Sequence, residues 1–167
     1  MATWQFSMHL VPREGLLTVS PDLRAAFSDD DGSDGDLPAW TVTQPPADLV
    51  ERLSRVLPEV ECWDRTTRQF GPSDGTTVQV SYEDGRVVEI FARIDLRWGE
   101  ENEVIEVLAS LAADSDGWWV GGHTKERVPI GQTSHEIRQA IRESDALRFV
   151  ADPRAFLAAL QKPASRS

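Results

Sequence analysis

Three histidines, one cysteine and a strand that alternates carboxylates with arginines hold the reactive side chains of this 167-residue chain. His9, His123 and His135 share no metal-binding spacing, and no HExxH pattern is present, so no metal site is expected. His135 falls in the first turn of an expected helix and reads as a surface residue. His9 lies on the polar side of an expected strand. His123 follows the Gly121-Gly122 turn and is a candidate binding residue, although the sequence supplies no group to orient it. Cys62 has no base beside it, as a nucleophilic thiol requires, and reads as a half-buried, unreactive thiol. Gly121-Gly122 with Lys125 lacks both the Walker and the GxGxxG pattern, so no nucleotide or other cofactor is expected.

Glu89, Arg93, Asp95 and Arg97 form the strongest constellation. Alternation places them on one side of one strand, together with Phe91. Paired carboxylates can exchange protons with a substrate when one is desolvated. Here the arginines favour the charged carboxylates, which points to an ion-paired ladder or a polar binding platform and to no catalytic residue. Six tryptophans is a high count. Trp4, Trp63, Trp118 and Trp119 lie in apolar patterns and are expected in the core. Trp40, after an acidic stretch, and Trp98, at the end of the long strand, are candidate exposed anchors of the kind enriched at protein interfaces.

The elements that must position these groups follow from side-chain periodicity. Trp4, Phe6, Met8 and Leu10 alternate with polar residues in a half-buried strand over 3–11, which Pro12 ends. A short helix starting at Ser20-Pro21 is expected next. Residues 28–36 read SDDDGSDGD, part of a mobile acidic loop over 28–37 without EF-hand spacing. Pro45-Pro46 opens a helix to Leu57, with Leu49, Leu53, Val56 and Leu57 on one face. Trp63 and Phe70 are expected to anchor the following loop. Residues 76–97 form a hairpin, and a three-residue loop, Glu83-Asp84-Gly85, pairs Val80 with Val88 and Val78 with Ile90 in one apolar face. Gly85 then takes the left-handed conformation.

A helix over 101–113 buries Val104, Ile105, Leu108, Leu111 and Ala112. Residues 118–120 form a short strand, with a partner over 127–130. Thr133 and Glu136 form a capping box for a helix to Glu143. A last strand is expected over 147–150. Asp152-Pro153 starts a final helix with Phe156, Leu157 and Leu160 inward, and residues 163–167 are expected to be disordered. The first six major elements run β, α, β, β, α, β. The expected fold is one α+β domain over 1–167: an antiparallel sheet with helices on one face, in ferredoxin-like order, extended by α–β–α.

Charge bounds the partners. The formal net charge is −11, and all but Lys125 and Lys162 of the 17 basic residues are arginine. Nucleic acid and anionic membrane are unexpected partners, because lysine and arginine contacts dominate such binding. A basic protein partner fits, and so does an acid-rich surface that serves solubility alone. No apolar run is long enough to cross a bilayer. The N-terminus lacks the pattern of a secretory signal, and a lone cysteine suits the cytoplasm.

WQFSMHLVPRE at the start, the proline-led helix, Trp63, Phe70-Gly71, RIDLR over 93–97 and LRFVADPRAFL near the end resemble a family of small bacterial α+β proteins with no assigned activity. The resemblance implies no catalytic residues. Small acidic α+β proteins of this kind resemble, by analogy, the immunity proteins of bacterial toxin systems. The first expected function is therefore a non-enzymatic protein-binding module, immunity-like, with a basic partner. The second is a small enzyme or ligand binder using the polar sheet face with His9 or His123. The third is a structural subunit of a homo-oligomer, and the sequence leaves the oligomeric state open.

Overall fold

The computed structural model describes residues 3–19, 40–98, 102–121 and 128–160. The acidic stretch at 28–37, the helix expected from Ser20-Pro21, His123 and the terminal residues 163–167 lie outside them. Seven strands form one antiparallel sheet: β1 (Gln5–Pro12), β2 (Glu59–Val60), β3 (Thr67–Phe70), β4 (Thr77–Glu83), β5 (Arg86–Asp95), β6 (Gly117–Gly121) and β7 (Val128–Gly131). Their order is β2-β3-β4-β5-β1-β6-β7. The four strands expected from alternation are β1, β4, β5 and β6. They sit as β4-β5-β1-β6, the ferredoxin-like arrangement, and β2, β3 and β7 widen the sheet on both sides.

Six α-helices and a 3₁₀ turn at Leu96–Trp98 complete the described elements: α1 (Arg13–Val19), α2 (Leu49–Val56), α3 (Asn102–Asp114), α4 (Ser134–Glu143), α5 (Asp145–Ala151) and α6 (Pro153–Leu160). One phase of the strands supplies Met8, Leu10, Phe70, Val78, Val80, Ile90, Ala92, Ile94 and Trp119 to the core. Leu49 and Leu53 of α2, Ile105 and Leu108 of α3, and Ile137 and Ile141 of α4 pack onto that face. The 3.6-residue and two-residue periods thus meet on one surface. α1 departs from this layout. Its Leu16 packs with Val11 and Val120, residues of the opposite strand phase, and Trp118 leans on that small cluster.

The β4–β5 turn corrects the expected register. Glu83 pairs with Arg86 across a two-residue Asp84-Gly85 turn, with φ of 48° and 76°. Positive φ at both positions matches the twist of the flanking strands. A register shift between Ser81 and Tyr82 then brings Val80 opposite Ile90 and Val78 opposite Ala92. The tight turn alone would have placed Val80 against Glu89. The bulge absorbs one residue and restores a continuous apolar face.

Other expectations change as well. Residues 147–150 belong to α5, because the Ser144 hydroxyl accepts from Leu147 N at 3.2 Å and starts a helix. Pro12 ends β1, and α1 follows immediately. α6 has no buried residue: Leu157 and Leu160 are 50% and 68% exposed, and Phe156 is half-buried against Phe149. The capping box stands as expected, with Glu136 N donating to Thr133 and the Glu136 carboxylate accepting from Thr133 N.

Candidate functional site

The sheet face opposite the helical layer carries Ser7 and His9 of β1, Thr77, Gln79 and Ser81 of β4, and Glu89, Phe91, Arg93 and Asp95 of β5. Register puts Ser7, Arg93 and Thr77 in one row across three strands. The next row holds His9, Phe91, Gln79 and Gln69. Phe91 sits at the centre. The His9 ring lies over it, with centroids 4.7 Å apart, and the Arg93 guanidinium stands 6.0 Å from its centroid. On the far side, Gln79 donates to Gln69, which donates to the Gly71 carbonyl.

Of the expected ion-pair ladder, only the Asp95–Arg97 pair forms. Glu89 turns across the sheet to His9, with Oε1 3.2 Å from Nδ1. The contact with His9 holds the Glu89 carboxyl below its ordinary value, against a smaller opposing effect of burial. Nδ1 is buried and makes no well-formed hydrogen bond, so Glu89 is its close neighbour at 3.2 Å without ideal alignment. Arg93 pairs with neither carboxylate. Its Nη2 donates weakly to Ser73 O at 3.4 Å, and its Nε is buried without a partner.

Asp95 and Arg97 do form a pair. Arg97 Nε and Nη2 reach both Asp95 oxygens at 2.6 to 3.1 Å, and Arg97 N donates to Oδ1 at 3.0 Å. These bonds hold the Asp95 carboxyl below its ordinary value. Arg97 also stacks over Trp4, 4.9 Å from the ring, and donates to the Asp74 carbonyl. The pair closes one end of the sheet.

The aromatic anchors are redistributed. Trp40, expected at the surface, is only 1% exposed, and its Nε1 donates to Leu10 O at 3.0 Å. A tryptophan so enclosed needs that acceptor, and the β1 carbonyl supplies it. Trp63, expected in the core, is 94% exposed. Trp98 is 84% exposed, as expected. Trp4 is half-buried under Arg97, and Trp119 is fully buried, with Nε1 donating to Leu108 O at 3.0 Å.

No family model, curated protein or solved structure matches the chain. The resemblance read from scattered aromatic and turn positions thus gains no support from these comparisons. Among the described residues no three histidine, cysteine, aspartate or glutamate side chains gather as metal ligands, and no helix is long and apolar enough to cross a membrane. The structure brings His9 and Glu89 together, and Asp95 with Arg97. It separates Trp98 from Trp40 and leaves Arg93 outside both ion pairs. Sequence reading missed Trp63 as a displayed side chain. The flanking Glu61 and Asp64 did not separate it from Trp40, which also follows acidic residues and is buried.

Proposed function

We propose that this chain is a non-catalytic protein-binding domain whose partner is a basic protein, in the manner of an immunity protein that masks a cationic toxin. The carrying observation is how the molecule spends its charges. Arg52, Arg55, Arg68, Arg97, Arg138 and Arg148 each hold a carboxylate of this same chain. Glu61, Glu83, Asp84 and Glu103 are exposed and enter no ion pair among the described residues. In a chain of net charge −11, these four carboxylates face outward and are available to a cationic surface.

Affinity capture on the immobilised chain, from the soluble extract of the source cell at low salt, tests this reading. A retained protein rich in arginine and lysine is the expected result. Retention of none, or only of acidic proteins, would count against it.

A second reading draws on the His9–Glu89 pair. A histidine beside a carboxylate, stacked on Phe91 within reach of solvent, can serve as a general base on a polar platform. It predicts a small ligand that perturbs the His9 ring resonances in an NMR titration. Unchanged His9 resonances across a metabolite library would remove it.

A further inference from the structure

We infer that the docking surface is the end of the sheet where Trp63 stands, and that its occupant is an arginine- or lysine-rich segment of the partner. The inference rests on the protein-binding reading above and deepens it.

Trp63 projects from the loop between β2 and β3, and 94% of it is open to solvent. A loose loop would explain such exposure, but this loop is braced. The Asp64 carboxylate accepts from Thr66 N at 2.9 Å, from Thr66 Oγ1 at 2.8 Å and from Thr67 Oγ1 at 3.0 Å. The Thr66 carbonyl then accepts from Tyr82 N at 2.8 Å, which ties the loop to the β4–β5 hairpin. The backbone beside the indole is thus braced, and binding need not spend free energy ordering that segment.

The hairpin tie also sets the electrostatics. It brings Glu83 and Asp84, both exposed, to the same end of the sheet as the loop with Glu61 and Asp64. Arg65 and Arg86 are the opposing charges there. Arg86 Nη2 is directed to the Thr41 carbonyl at 2.9 Å. Four carboxylates against two guanidiniums leave this end negative around an open aromatic face. A guanidinium or ammonium is attracted both to an indole face and to surrounding carboxylates. Val42, 81% exposed, adds apolar area at the same end, since Trp40 N is bonded to Val88 O and Gln44 to Val87.

Trp98 is the competing anchor, and its setting differs. It stands at the opposite end of β5, next to Arg97, whose guanidinium lies over Trp4. Arg97 is already paired with Asp95, so that pair offers a cationic partner no free carboxylate.

The test repeats the capture with Trp63→Ala, Glu83→Gln/Asp84→Asn and Trp98→Ala, each checked for native circular dichroism. Wild type and Trp98→Ala retain the same basic protein, whereas Trp63→Ala lowers retention at least tenfold and the hairpin-tip variant several-fold. Equal retention by Trp63→Ala and wild type overturns the assignment of the surface and leaves the protein-binding reading standing. Failure of wild type to retain any basic protein overturns both. Fluorine NMR of the chain labelled with 5-fluorotryptophan, titrated with octa-arginine, gives an independent reading. The Trp63 resonance, assigned by its loss in Trp63→Phe, shifts first. A first shift at Trp98, or at neither indole, contradicts the inference.

Discussion

Asp95 is enclosed, with its side chain 1% exposed, and Arg97 occupies both of its oxygens. Its carboxyl titrates below the unfolded-state value, so the stability it contributes is complete above that value and drains away as pH falls through the lowered one. Asp95→Asn is expected to cost about 1–3 kcal/mol at pH 7, the range for a buried charged hydrogen bond left half-made. Urea unfolding from pH 7 to pH 3 checks this. The gap between wild type and variant should hold steady above the ordinary aspartate pKa of about 3.9 and narrow below it. The tryptophans give a second contrast at the same scale. Trp40→Ala empties a fully enclosed site and should cost about 3–5 kcal/mol, whereas Trp63→Ala should stay within about 0.5 kcal/mol. Sequence reading reversed this pair. An indole beside an acidic stretch and an indole beside Cys62 give no local sign of which one finds an acceptor in the core.

Among the elements, those with full periodicity were legible and those without it were not. α3 and α4 showed their apolar stripes, and Thr133 with Glu136 marked the start of α4. β2 and β3 are short and carry Glu59, Thr67, Arg68 and Gln69, so no alternation announced them. Residues 147–150 form a four-residue run whose length does not separate strand from helix, and the Ser144 cap decided it. The β4–β5 turn was legible in its glycine and misjudged in its length, because a bulge one pair away cannot be seen in the alternation itself. Gly85 at φ 76° should resist replacement. Gly85→Ala meets no atom within 4 Å, so its expected cost is the left-handed backbone alone, about 1 kcal/mol, measured by thermal unfolding. α6 makes the opposite prediction. With no buried residue, its amides should exchange with deuterium well before those of α3, as hydrogen-exchange mass spectrometry would record.

At the scale of the whole molecule, the ferredoxin-like order was readable from the sequence of elements, because hairpin and crossover rules leave few other arrangements. The candidate site was readable only in part. Alternation located the polar face, but not that Glu89 would choose His9 over an arginine, since partners on neighbouring strands depend on register. Nor does a net charge of −11 say which carboxylates are left unpaired; the ion pairs show that for the described residues alone. The central claim is that these unpaired carboxylates hold a cationic protein. Its direct measurement is calorimetric titration of the captured partner against the chain at rising salt. Screening shrinks from about 10 Å at 0.1 M to about 3 Å at 1 M, so affinity should fall at least tenfold across that range. An affinity that does not change with salt would contradict the account.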